Sequence, residues 1–127
     1  MAPYIDPNQR FVVEIFVRRL KDSIAFYGAF GFRLVREEAR FAELAFEDQH
    51  LLFLHERTDL PPVPPPPQAN IRVIVQGVDE LWNKAKEMGA KIVEPIQKRP
   101  SGLRDFTIAD PDGFGLKLAA FVWDQDE

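Results

Sequence analysis

Hydrophobic and polar positions along the chain fall into two similar halves. Residues 11–17 (FVVEIFV) have the β-branched and aromatic composition of a strand. A helix is predicted over 20–30, where Leu20, Ile24, Tyr27 and Phe30 recur at helical spacing and Gly31 marks the exit. Three short strands follow over 32–35, 41–46 and 50–55, with the last turn at residues 47–49 (EDQ). The second half begins with a strand over 70–75 (NIRVIV). Its helix covers 78–88, with Val78, Leu81, Ala85 and Met88 on one face and Gly89 at the exit. Strands over 91–94, 105–108 and 115–121 complete it, the last two joined by the DPDG turn at residues 110–113.

Between the halves lies DLPPVPPPPQ, residues 59–68, which holds six of the eleven prolines. Proline lacks the amide donor and fixes φ, so this run is neither helix nor central strand. Extended as polyproline II it would span roughly 25 Å. Neither flanking half is comfortable alone at its size, which points to modules of about 11–58 and 69–121 within a single domain spanning 1–127. One shift of the sequence carries Val17 onto Val75, Leu20 onto Val78, Gly31 onto Gly89 and Leu34 onto Ile92. The closing strands need a larger shift, because the second half has about six extra residues within 97–104. Both halves read βαβββ, and an internal repeat constrains the fold more than any local signal.

A tandem βαβββ chain with LKDSIAFYGAFGF in one half and GVDELWNKAKEMGA plus DPDGFGLKL in the other resembles the vicinal oxygen chelate superfamily. That superfamily includes glyoxalase, extradiol dioxygenases, fosfomycin-resistance enzymes and bleomycin-resistance binding proteins. The resemblance covers residues 11–121. It implies an α+β fold in which the two modules form a curved, partly open eight-stranded sheet around a cleft. One fold hosts many chemistries, so function must be argued from the site.

The resemblance also implies where a divalent metal would be held, with two positions per module on the first and closing strands. Those positions fall on Val12, Phe53, Asn70 and Lys117. Valine and phenylalanine have no donor atom, an asparagine carbonyl is a weak neutral donor, and a lysine ammonium repels a cation. A displacement by one residue finds only apolar neighbours. A displacement by two keeps the same face and finds Glu14, His55, Arg72 and Ala119, with His50 or Glu43 as an arguable third ligand. Two scattered ligands beside Arg72 and Lys117 make a poor metal site. The nearest analogue is the metal-free, bleomycin-resistance-like branch, with no cofactor.

Strand parity assigns the cleft lining. Val13, Ile15, Val17, Ile71, Val73 and Val75 cover the helices. Glu14, Phe16, Asn70, Arg72 and Ile74 face the cleft, joined by Leu51, Phe53, His55, Lys117, Ala119 and Phe121. Glu14 and Arg72 occupy equivalent places in the repeat and form either a buried pair or ligand contacts. His55 has no nucleophile partner in sequence and reads as a structural or ligand-contacting residue rather than a catalytic one. The ligand-binding set is therefore Glu14, Phe16, Phe53, His55, Asn70, Arg72 and Lys117. Residues 98–104 (KRPSGLR) read as a mobile rim over this cleft, and Trp123 as a cover for its mouth or for a subunit contact.

Composition narrows the partners. The 127 residues carry sixteen Lys+Arg and twenty Asp+Glu, a formal net charge of −4, which argues against nucleic acid. There are no cysteines, so disulfides, thiolate metal sites and a cysteine nucleophile are excluded. No apolar run is long enough to span a bilayer, and residues 1–10 lack the apolar stretch of a secretory signal. The sequence thus reads as a cytoplasmic homodimer that binds a small organic molecule. A metal-dependent lyase, isomerase or dioxygenase with a non-standard site is the alternative.

Overall fold

The computed structural model describes residues 11–122, with the side chains of all but His50 and Leu51. Trp123 and the acidic tail lie outside the described residues. In chain order the elements are β1 (Val13–Val17), α1 (Leu20–Ala29), β2 (Phe32–Glu38), β3 (Phe41–Phe46), β4 (Gln49–Glu56), β5 (Asn70–Ile74), α2 (Val78–Glu87), β6 (Lys91–Lys98), β7 (Leu103–Ala109) and β8 (Gly115–Phe121). The chain divides into two compact units between Pro61 and Pro62, inside the proline-rich run. Each unit holds one βαβββ module, and the architecture is α+β.

Each module is an open four-stranded mixed sheet with one helix. The strand orders are β1-β4-β3-β2 and β5-β8-β7-β6. The first and closing strands of each module are parallel and the remaining neighbours antiparallel. Parallel strands cannot be joined by a tight turn, so the helix and the intervening hairpin supply the crossover.

In the first module Ile15, Val17, Leu44, Leu52 and Leu54 are buried, as are Leu20, Phe26, Tyr27 and Phe30 of the helical segment. Phe26 and Phe32 meet Tyr27 edge-on at centroid distances of 5.2 and 5.3 Å. No side chain of its own N-cap closes α1. Glu56, at the end of β4, accepts the Leu20 amide at 2.9 Å instead, placing a carboxylate at the positive end of the helix. In the second module Ile71, Val73, Phe106, Ile108, Leu116 and Leu118 pack with Val78 and Ala85. Trp82 of α2 lies against Phe106 at 5.2 Å.

Strand boundaries differ from the sequence expectation where tertiary pairing extends or trims them. β1 begins at Val13, so Phe11 and Val12 precede it. The β3–β4 turn takes only residues 47–48, since Phe46 already pairs with Gln49. The largest change is in the second module. β6 runs on through Pro95 to Lys98, and β7 starts at Leu103. Proline is accommodated because β6 is an edge strand and its register with β7 slips between Glu94 and Gln97. Residues 98–104, expected as a loop, are thus partly strand. They form a tight hairpin, closed by Arg99 N–H donating to the Leu103 carbonyl at 2.6 Å and Gly102 N–H to the Arg99 carbonyl at 3.0 Å. Among the described residues no helix is long and apolar enough to cross a membrane.

The DPDG segment is a structural turn. Asp110 is buried, and its Oδ1 accepts the amides of Asp112 and Phe114, each at 2.9 Å. Gly113 has φ +96°, and a Cβ there would stand 3.2 Å from Val63. Asp110→Ala is expected to lower stability by about 1–3 kcal/mol, because two amides lose their acceptor. Gly113→Ala should also destabilise, through both backbone strain and crowding. Urea denaturation with an unchanged m-value checks both; wild-type midpoints would refute this account of the turn.

Candidate functional site

A sheet covered by one helix has a second face. In the first module, alternation sends Ile15, Val17, Leu52 and Leu54 toward α1 and leaves Glu14, Phe16, Phe53 and His55 on the opposite face. Registers bring these together: Glu14 pairs with Phe53 and Phe16 with His55 across β1 and β4. Strand β3 then sets Phe41 opposite His55 and Glu43 opposite Phe53. Arg36 of β2 stands opposite Glu43.

The result is a ring cluster with a polar edge. Phe16 and Phe41 approach the His55 ring at 5.7 and 5.3 Å, and Phe41 meets Phe53 edge-on at 5.1 Å. His55 Nε2–H donates to Glu14 Oε1 at 2.7 Å. Glu14, expected either to pair with Arg72 or to contact ligand, has a hydrogen-bond partner inside its own module. The Arg36 guanidinium lies 4.9 Å from the Phe41 centroid, a cation–π arrangement, and its Nε is 3.6 Å from the buried Glu43 carboxylate. Phe16 remains 51% exposed and is available to a ligand, whereas Phe53 at 5% is mostly packed. Sequence parity placed Phe16 and Phe53 on this face but could not place Phe41. That needed the β3–β4 register, although the alternation of FAELAF already carried the periodic signal.

The second module repeats the geometry with different chemistry. Arg72 pairs with Lys117, Lys117 with Thr107, and Thr107 with Glu94. Arg72 is exposed and Lys117 half-buried. Asn70, the first residue of β5, lies over Gly115, where any Cβ would collide with its side-chain amide. Gly115 is what lets that side chain sit there. Asp105 on the same face is buried and takes two hydrogen bonds from Arg99, Nε at 3.0 Å and Nη2 at 2.8 Å. These bonds push the guanidinium above its ordinary pKa. Arg104, one residue earlier and on the helix side, instead binds Asp79 in the first turn of α2 at 2.8 Å. A separate recess of about 770 Å³ opens beside that turn, lined by Gly77, Asp79, Lys98, Arg104 and Phe121 among others. None of the seven residues assigned from sequence lines it.

The positions at which the family resemblance implies a metal can now be tested. Val12 precedes β1, Phe53 is packed among rings, Asn70 opens β5 and Lys117 projects beside Arg72. Two of the four have no donor atom and one is a cation, so this set does not fit a divalent metal. Two residues along, Glu14 and His55 do meet, but their counterparts are Arg72 and Ala119. Among the described residues no group of three His, Cys, Asp or Glu is placed to hold an ion.

Residues 10–118 match the model of the Glyoxalase/Bleomycin resistance protein/Dioxygenase superfamily. Solved structures of the same fold include TioX from Micromonospora sp. ML1, 26% identical, with TM-score 0.69 over 88% of this chain and 98% of that one. A glyoxalase/dioxygenase from Nostoc punctiforme is 21% identical, with TM-score 0.77 over 97% and 99% of the two chains. The bleomycin resistance determinant encoded on transposon Tn5 is 21% identical, with TM-score 0.65 over 85% and 93%. No curated protein matches the chain in sequence.

Two ion pairs of the second module, Arg99–Asp105 and Arg104–Asp79, differ in burial and so in their contribution. The Asp105 side chain is 4% exposed and that of Asp79 is 63% exposed. Asp105→Ala is expected to be clearly the more costly, because the Arg99 guanidinium loses both hydrogen bonds to a buried acceptor and keeps only Glu94 at 3.8 Å. Asp79→Ala should cost about 1 kcal/mol or less. Equal losses in chemical denaturation would contradict the ranking.

Proposed function

The chain belongs to the Glyoxalase/Bleomycin resistance protein/Dioxygenase superfamily, and from that premise we propose that it binds a small organic molecule without a metal and without transforming it. The observation that carries this reading is the ring cluster of Phe16, Phe41, Phe53 and His55. It is an apolar surface with one polar handle, the usual composition of a small-molecule site. The replacement of metal donors at Val12, Phe53, Asn70 and Lys117 supports the metal-free part. Glu14, Phe16, Phe53 and His55 are the ligand contacts of the first module; Asn70, Arg72 and Lys117 are those of the second. His55, held by Glu14, offers a hydrogen bond rather than a proton-transfer partner, as no Ser, Thr or Lys among the described residues pairs with it on this face.

The Glu14–His55 contact favours one other reading, a metal-dependent lyase, isomerase or dioxygenase with a non-standard site. Metal analysis of untagged protein separates the two. Stoichiometric zinc, nickel, iron or manganese, lost in Glu14→Ala or His55→Ala, would overturn the metal-free reading.

For binding itself, aromatic and amphiphilic compounds should include some that raise the melting temperature by mass action. Phe16→Ala is expected to weaken such binding about tenfold, the loss of one aromatic contact. Because Phe16 is exposed, the variant should fold. Affinity unchanged in both Phe16→Ala and Phe53→Leu would remove this face from the site.

The protein is further proposed to act as a cytoplasmic homodimer. Phe16, Ile74 and Phe121, all on helix-free sheet faces, are 51%, 41% and 54% exposed. Apolar exposure of this kind marks an interaction surface. Sedimentation velocity at micromolar concentration should give twice the 14.6 kDa chain mass, and a clean monomer would refute it.

A further inference from the structure

On the second module's helix-free face two cations stand side by side, while the carboxylates of that face, Glu94 and Asp105, lie beside Arg99 at 3.8 and 2.8 Å. Arg72 and Lys117 are directly opposed across β5 and β8. Like charges so placed on one face destabilise a sheet. Among the described residues of the module, neither has a hydrogen-bond or ion-pair partner. The other two arginines of that module are satisfied, Arg99 by Asp105 and Arg104 by Asp79.

The next residue across the same face adds a second, independent sign. Thr107 is directly opposite Lys117, and its Oγ1 is buried with no hydrogen-bond partner. Buried hydroxyls are nearly always bonded, since leaving one unsatisfied forfeits its hydration for nothing. Two unneutralised cations and an idle hydroxyl donor lack the same thing, an anionic oxygen.

The repeat shows that the fold does not require these residues. The corresponding row of the first module is Glu14, Phe53, Glu43 and Arg36, against Arg72, Lys117, Thr107 and Glu94 here. The same backbone positions carry two carboxylates and one guanidinium in one module, and two cations and one carboxylate in the other. The cations are thus a property of this face, not of the βαβββ scaffold.

We propose that Arg72 and Lys117, with Thr107 as hydroxyl donor, form a binding site for an oxyanion carried by the ligand, a carboxylate or a phosphate. The planar Arg72 fork takes two oxygens of either group, and the half-buried Lys117 supplies a point charge partly shielded from water. Thr107 donates its hydroxyl proton to the oxygen that Lys117 holds. Occupation removes the repulsion between the two cations, so binding and stability rise together. This site rests on the ligand-binding reading above and names the charge of the ligand.

Two probes test it on the full chain by isotope-edited NMR titration: benzoate for the carboxylate and inorganic phosphate for the phosphate. Saturable binding of at least one probe is expected, weakening as sodium chloride rises. Arg72→Gln and Lys117→Gln should each reduce affinity about tenfold or more, the loss of a charge-assisted contact. Thr107→Val should reduce it about threefold to tenfold, and Thr107→Ser should restore it. Saturation by benzoate alone assigns a carboxylate, and by phosphate alone a phosphate. Failure of both probes to saturate at tens of millimolar overturns the site, as does saturation unchanged in the Arg72→Gln/Lys117→Gln double variant. Arg72 is exposed, so its replacement leaves the fold intact. The two proposals fail separately. Library ligands that depend on Phe16, with neither probe saturating, remove the oxyanion site and leave organic-ligand binding. Probe binding at Arg72 with no library ligand found does the reverse.

Discussion

One helix for four strands is the constraint on which the rest of each module depends. A pleated sheet directs alternate side chains to opposite faces, and a single helix buries only one of them. In the first module that face is Ile15, Val17, Leu52 and Leu54 against α1; in the second it is Ile71, Val73, Leu116 and Leu118 with α2. The other face of each sheet owes nothing to the helix. Its residues answer to what else covers it, which is why Glu14, Arg72 and Lys117 can stand there at all. Parallel pairing of the first and closing strands then places residues from distant parts of the chain side by side, as with Glu14 and His55 or Arg72 and Lys117.

The repeat provides two such faces, and their chemistries differ. The first gathers rings and carboxylates, with Phe16, Phe41, Phe53 and His55 in mutual contact and Glu14 and Glu43 at their margins. The second gathers cations and hydroxyl, with Phe53 answered by Lys117 and Glu43 by Thr107. The helix-side positions show no such drift in character, since Leu52 is answered by Leu116 and Leu54 by Leu118. Packing holds one face to apolar residues of suitable volume. The other is not held in this way, and its residues Val12, Phe53, Asn70 and Lys117 are not a donor set that fits a divalent metal.

Features closed within a few residues were legible in the sequence. Both helices could be read from apolar spacing and from Gly31 and Gly89, whose positive φ angles end them. The DPDG turn is built almost wholly from its own atoms, so it could be read as a turn from four letters. Alternation in FVVEIFV and NIRVIV separated helix-facing from helix-free positions, because a strand's period is local geometry. The repeat itself, and with it the α+β architecture, needed only comparison of one half with the other.

What the tertiary structure decided was pairing. Sequence parity states which face a residue takes but not which residue stands opposite it, so Phe41 joined the ring cluster only through the β3–β4 register. Glu14 could be assigned a face from sequence but not its neighbour His55, which the β1–β4 pairing brings to it. Residues 98–104 read as a loop because proline, serine and glycine cluster there. Yet β6 continues through Pro95, since an edge strand can spare one donor and a slipped register absorbs the distortion. The insertion became a hairpin that delivers Arg99 to the buried Asp105. Local rules determine what each segment of this chain can be; hydrogen bonding between segments far apart in sequence determines which side chains meet, and the chemistry of both open faces lies in those meetings.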